Sequence, residues 1–328
     1  MNIPWVEKYR PINLEDLISH NGIKSMLSKF VESDSMPHLL FYGPPGTGKT
    51  STILSVARKM YKTNYKNMVL ELNASDDRNI KVVRETIREF AGTNGDNLIK
   101  NDISKSSIKL VILDEADSMT QDAQFCLRRI METYSAKTRF CLICNYINKI
   151  IPALQSRCCC LRFFPLSEKD TGVFLKDVCK KEDLYYENDA FPFLYKISNG
   201  DLRKALNILQ GTYFNYSEIT LQNIQLNTGF PKKVDLEAII SSLFNSSIMT
   251  SYEKINCIKQ QWGLSVNNII TEITLYLRKI DIDDETLSTI YSQLSDLEAN
   301  YTCTFKEDMC ILGIISIISG SMLYSKGF

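Results

Sequence analysis

The stretch HLLFYGPPGTGKTSTI, His38 to Ile53, decides the fold. Its apolar run His38–Tyr42 predicts a buried strand, the glycines that follow predict a tight turn, and Lys49-Thr50 opens a segment with helical spacing. Gly43, Gly46 and Gly48 let the backbone curl so that successive N–H groups face phosphate oxygens. The next helix turns its N-terminus, with orphan donors and a positive dipole end, toward the same anion. The segment Gly43, Pro44, Pro45, Gly46, Thr47, Gly48, Lys49, Thr50 and Ser51 is therefore the expected binding loop for a nucleoside triphosphate. Lys49 is expected to reach the β- and γ-phosphates, and Thr50 to ligate Mg2+.

Working outward, near-continuous apolar runs recur at Met68–Asn73, Ile108–Asp114, Thr138–Asn145 and Cys158–Phe164, with helical patterns between them at Ile80–Phe90 and Thr120–Tyr134. Such alternation predicts an α/β domain whose parallel sheet is covered on both faces. A further helix is expected at Gly22–Glu32, whereas the octet Pro4–Pro11 is too short to be an element of the core by itself. After Pro165 the strand signal stops. Amphipathic helices are expected at Thr171–Lys181, Asn188–Ser198 and Asp201–Tyr213, and Thr228-Gly229-Phe230-Pro231 reads as a break. Five more helices follow, near 236–244, 249–261, 266–279, 284–299 and 306–324. The expected division is a nucleotide-binding domain at 1–164, a small helical domain at 165–228 and an all-α domain at 229–328.

The chain has 38 basic and 38 acidic residues, but they are unevenly placed. Residues 1–163 hold 23 Lys/Arg against 17 Asp/Glu, a balance of +6, and the rest hold 15 against 21, a balance of −6. A basic nucleotide-binding half points to a polyanionic partner. The ten cysteines do not form a disulfide framework, and the polar opening MNIPWVEKYRP is unlike a secretory segment, so a reducing compartment is expected. Cys141 and Cys144 sit three apart on a predicted strand, on opposite faces, which argues against a metal pair. Met309–Ser325 carries no charge over 17 residues but is short of a bilayer span, so it reads as a buried helix and no membrane is expected.

The run Lys109–Asp117 is an apolar strand ending in carboxylates. Asp114 is the expected Mg2+ ligand, and Glu115 the base that orients and activates water, which favours hydrolysis over transfer to a small acceptor. Asn145 ends the neighbouring strand, within reach of a γ-phosphate or the attacking water. Arg157, in Ser156-Arg157-Cys158, is a candidate arginine finger for a neighbouring subunit's ATP. Arg203 follows the expected N-cap Asp201 in a first turn where the helix dipole disfavours a cation, so an anion such as a phosphate would explain it. Lys81, Arg84 and Arg88 form a stripe on the 80–90 helix that could track a nucleic-acid backbone.

Taken together, PWVEKYRP (4–11), GPPGTGKT (43–50), LNASDDR (72–78), DEAD (114–117), NY (145–146), SRC (156–158) and GDLRKALN (200–207) resemble the AAA+ clamp-loader family, in particular the small subunits of replication factor C. The resemblance implies a DNA-stimulated ATPase that opens a sliding clamp and loads it onto primer–template DNA, as one of five replication factor C subunits, in the nucleus. It places Val6 and Arg10 at the nucleotide edge, Asn145 as first sensor, Arg203 as second sensor, and Arg157 in the adjacent subunit's site. It also implies that the helix after LNASDDR follows DNA and that the C-terminal helices form a collar. Asn79 departs from the glycine common there, and the polar loop 92–107 is a candidate clamp-facing segment. Two alternatives stay open: another AAA+ machine on the same core, and a structural subunit that binds ATP and hydrolyses little. A generic P-loop kinase fits neither the helical second half nor the placement of Arg157 and Arg203.

Overall fold

In a computed structural model the described residues are 3–33, 35–74, 80–92, 108–280, 282–301 and 306–325, with backbone alone for 80–84 and 322–325. The chain divides into two compact units, Met1–Ile219 and Thr220–Phe328.

In the first unit a short helix α1 (Trp5–Lys8) and α2 (Asn21–Glu32) precede strand β1 (Leu39–Tyr42) and helix α3 (Lys49–Tyr61). There follow α4 (Tyr65–Met68), β2 (Val69–Asn73), α5 (Ile80–Gly92), β3 (Lys109–Asp114), α6 (Gln121–Tyr134), β4 (Thr138–Cys144), α7 (Pro152–Gln155) and β5 (Cys159–Arg162). The five strands are all parallel, in the order β2-β3-β4-β1-β5. Alternate residues of each strand face opposite sides. Leu39, Phe41, Leu110, Ile112, Cys141 and Ile143 pack with α3 on one face. Leu40, Val111, Leu113, Phe140, Leu142 and Cys144 pack with α6 on the other. Cys141 and Cys144 thus lie in different cores, and among the described residues no group of His, Cys, Asp or Glu is arranged to hold a metal.

This strand order places the site. β4 lies between β1 and β3, so the turn after β1, Asp114 at the end of β3 and Asn145 just past β4 share the carboxyl edge of the sheet. Ligands of parallel α/β sheets bind at that edge. Three helices complete the unit: α8 (Glu168–Lys181), α9 (Ala190–Ser198) and α10 (Leu202–Tyr216). Ser167 and Asp201 cap the N-termini of α8 and α10 with their side-chain oxygens. The octet 4–11 contributes only the short α1, and Trp5 is buried against Tyr213 of α10.

The second unit is all helix: α11 (Leu221–Thr228), α12 (Lys233–Asn245), α13 (Ile248–Trp262), α14 (Val266–Leu277), α15 (Asp284–Tyr301) and α16 (Glu307–Ser325). Gly229 ends α11 with φ +64°, the expected break. On α16, Ile311, Ile314, Ile315 and Ile318 share a stripe that packs with Ile255, Ile273 and Leu294 in one core. Among the described residues no helix is long and apolar enough to cross a membrane.

Candidate functional site: a phosphate loop and its cavity

The turn after β1 depends on two glycines that no other residue replaces without rearrangement. Gly43 has φ +146°, and a Cβ there would lie 2.1 Å from the Phe163 carbonyl oxygen. Gly46 has φ +69°, and a Cβ there would lie 1.8 Å from Asp201 Oδ1. The phosphate loop is therefore in direct contact with the start of α10, and the Leu202 N–H donates to the Gly46 carbonyl at 3.4 Å. Thr47 is held by a hydrogen bond from its hydroxyl to the Pro44 carbonyl, and Gly48 caps α3.

Lys49, only 7% exposed, donates to the carbonyls of Gly43 (2.7 Å) and Pro44 (2.8 Å) and to Asn145 Oδ1 (3.0 Å). Burial pushes its pKa below the ordinary lysine value, the Arg203 charge acts in the same direction, and Asp114 opposes both. Its three donors are engaged, so reaching a phosphate means exchanging carbonyl partners for phosphate oxygens. Thr50 Oγ1 donates to Asp114 Oδ2 at 2.7 Å. A hydroxyl and a carboxylate are hard oxygen donors of the kind Mg2+ takes, alongside phosphate and water. The residues present fit a magnesium-bound triphosphate.

Glu115 is exposed and sits in the left-handed region at φ +52°. Two bonds hold it: its N–H donates to Asp114 Oδ1 (2.9 Å), and its carbonyl accepts from the Ser118 N–H (2.9 Å). Non-glycine residues rarely adopt this conformation, and where they do a functional constraint is a common reason.

Beside the loop a cavity, partly open to solvent, is lined by Val6, Arg10, Gly46, Thr47, Gly48, Ser51 and Arg203 among the expected residues. Ile18, His20, Phe163, Leu166, Phe174, Leu202 and Leu206 supply further walls. The mixed apolar and polar lining suits a nucleotide. Burial pushes the His20 imidazole below its usual pKa.

Two polar residues that sequence reasoning passed over hold this edge together. Asp117 Oδ2 accepts the N–H groups of Asn145 and Tyr146, both at 3.2 Å, which ties the segment after β3 to the end of β4. Gln124 of α6 is 1% exposed. Its Nε2 donates to the carbonyls of Met119 (3.2 Å) and Lys149 (3.0 Å), and its Oε1 accepts the Ile151 N–H at 2.8 Å. A glutamine inside a helix otherwise rich in charge looks solvated from sequence. Its position between Ala123 and Leu127, both buried, was the available signal.

Arg157 stands apart from the phosphate loop. Its guanidinium pairs with Glu132 at 2.5 Å and donates to the Ala153 carbonyl at 2.7 Å, and Arg128 shares Glu132 at 3.1 Å. Of the expected nucleic-acid stripe, Arg88 is exposed, while the side chains of Lys81 and Arg84 lie outside the described residues, as do Asn79 and 93–107.

Residues 39–166 match the family model of the ATPase family associated with various cellular activities, AAA, and residues 231–316 match the replication factor C C-terminal domain. The first unit is thus an AAA ATPase module that binds nucleotide. Among curated proteins, Replication factor C subunit 5 of Mus musculus is 45% identical over 96% of this chain and 91% of its own length. Probable replication factor C subunit 5 of Dictyostelium discoideum is 46% identical over 94% and 88%. Replication factor C subunit 3 of Schizosaccharomyces pombe is 45% identical over 99% and 93%. The chain belongs to the replication factor C subunit family. Among solved structures, the Thermotoga maritima RuvB Holliday junction branch migration motor aligns over 78% of this chain and 86% of that one, with a TM-score of 0.51 and 15% identity, a likeness of fold alone.

Proposed function

We propose that this chain is an ATP-hydrolysing subunit of a heteropentameric replication factor C clamp loader, which opens a sliding clamp and places it on primer–template DNA during replication and repair in the nucleus. The observation that carries the reading is the convergence of Lys49, Thr50, Asp114 and Asn145 on one sheet edge, within a chain whose relatives are named replication factor C subunits. In the same reading residues 1–164 bind the nucleotide, 165–228 form a lid and 229–328 a collar.

Mg2+–ATP bound at this edge would bring the scissile γ-phosphate, and the metal would neutralise phosphate charge. Lys49 would exchange loop carbonyls for phosphate oxygens, and Thr50 and Asp114 would hold the metal through their oxygens. Glu115 takes a proton from the attacking water. Asn145 and Arg203 register the γ-phosphate from the sheet and lid sides, while Val6 and Arg10 border the base. Arg157 leaves Glu132 to act on the adjacent subunit's nucleotide, and Arg84 and Arg88 on α5 track DNA phosphates.

Co-expression with the other subunits tests this. Native mass spectrometry of the tagged chain is expected to give a five-subunit complex, whose ATP turnover rises on adding clamp and primed DNA. A lone chain, or a complex indifferent to both additions, would overturn the proposal.

A further inference from the structure

The segment 3–11 reaches the cavity from an anchorage in the helices after β5, and Glu182 is the centre of that anchorage. Glu182, at the end of α8, accepts from Lys8 Nζ at 2.6 Å and from the Tyr9 hydroxyl at 2.5 Å on one carboxylate oxygen. The ammonium groups of Lys8 and Lys181 lie 5.4 and 5.8 Å from the centre of the Tyr9 ring. Burial works to raise the Glu182 carboxyl, but the bonds from Lys8 and Tyr9 outweigh it, so the group stays below its ordinary pKa and holds its charge. On α10, Trp5 stacks on Tyr213 with ring centres 5.7 Å apart, and the Trp5 backbone N–H donates to Gln210 Oε1 at 3.1 Å.

At its other end the segment touches the phosphate-loop helix, where Ser55 Oγ of α3 donates to the Pro11 carbonyl at 3.4 Å. Between the two anchors Val6, Tyr9 and Arg10 line the cavity, as do Phe174 of α8 and Leu206 of α10. Part of the cavity wall is therefore a strap held by α8 and α10. At the α8 and α10 end, the bonds of Glu182, Lys8, Tyr9, Trp5 and Gln210 go to one another and not to the phosphate loop, whereas at the other end Ser55 Oγ also donates to the Ser51 carbonyl at 2.9 Å.

The geometry points to Glu182 as a positioning residue for the nucleotide's base and ribose: it fixes the strap that forms their wall, and it leaves phosphate binding alone. The inference rests on reading the cavity as the nucleotide site. It assigns Glu182, Lys8 and Tyr9 to one unit, so their effects on binding must overlap instead of adding.

The test is equilibrium binding to the full-length chain, with a fluorescent ATP analogue displaced by ATP or by inorganic tripolyphosphate, which carries the phosphates without base or ribose. Glu182→Gln keeps an acceptor for Tyr9 but removes the charge facing Lys8, and it is expected to weaken ATP about five- to tenfold. Tripolyphosphate should bind as in the wild type. Tyr9→Phe, a milder change that keeps the ring, should weaken ATP in the same sense, and the double variant should be little worse than Glu182→Gln. Unchanged ATP affinity, equal losses for both ligands, or fully additive losses would each overturn the assignment. Lys49→Ala is the separate control. It should weaken both ligands, and if it weakens neither, the cavity is not the nucleotide site and the strap inference falls with that reading.

Discussion

Gln124 offers the sharpest test of how the catalytic edge is held, because its three hydrogen bonds all go to backbone groups of segments that carry site residues. Replacing it with leucine keeps the volume and removes all three partners. The bond to the Ile151 N–H is buried, so that donor loses its partner with no water to replace it, at a cost of about 1–3 kcal/mol. The carbonyls of Met119 and Lys149 are part-buried and can recruit water, so each loses roughly 0.5–1 kcal/mol. The sum is about 3 kcal/mol, which for a unit of this size lowers Tm by about 6–12 °C. The chain has two tryptophans, Trp5 and Trp262, one in each unit. In a Trp262→Phe background the remaining fluorescence therefore follows the first unit, and urea titration of that protein with and without Gln124→Leu gives the difference. A loss below about 1 kcal/mol would mean that these bonds do not hold the loops. Gln124→Glu sharpens the result. It keeps an acceptor for Ile151 but sets a carboxylate oxygen against two carbonyls, so it should be no more stable than the leucine variant.

Other consequences can be checked in the same way. Gly46→Ala would drive a Cβ into the Asp201 carboxylate at φ +69°, so ATP affinity should fall at least about tenfold, the equivalent of 1.4 kcal/mol, in a titration with a fluorescent analogue; unchanged affinity would show that α10 moves away freely. His38 accepts the Phe140 N–H on Nδ1, and burial first, then Arg139, lowers its pKa to about 4. Because the unfolded chain has the higher value, the contribution of neutral His38 is complete above about pH 6.5 and is lost as pH falls toward 4. Discounted for partial exposure, the loss is about 1–2 kcal/mol by pH 4.5, and urea midpoints for the wild type should fall more steeply with acid than those for His38→Gln. Replacing both Arg84 and Arg88 with alanine should reduce the salt slope of DNA binding by the complex by about 1.8, while an unchanged slope would remove both from the interface.

The sheet was legible because each of its strands is a near-continuous apolar run, the mark of parallel strands covered on both faces. The ends were less so: Phe163 and Phe164, expected within the last strand, lie beyond β5, which stops at Arg162. The carboxyl-edge residues were legible for a geometric reason. Asp114 ends β3, Asn145 directly follows β4, and Lys49 opens the helix reached from β1 through the glycine turn, and the order β3-β4-β1 brings these together. What stayed hidden depends on distant partners. Trp5 is buried by a residue more than 200 positions away, so nothing within the octet shows where it packs. Asp117 and Gln124 bind backbone atoms some 25–29 positions on, which no local pattern announces. The helix α11 was missed because LQNIQLNT has few apolar residues to set a period, and its start depends on the cap Thr220.

On the proposed reading this chain carries its own hydrolytic site, with Glu115 acting on water beside the Lys49–Thr50 loop. ATP turnover by the assembled complex, with clamp and primed DNA and with Glu115→Gln in this subunit alone, tests it most directly. Turnover is expected to drop while the variant subunit still binds ATP. Undiminished turnover would contradict it and make this subunit's nucleotide structural.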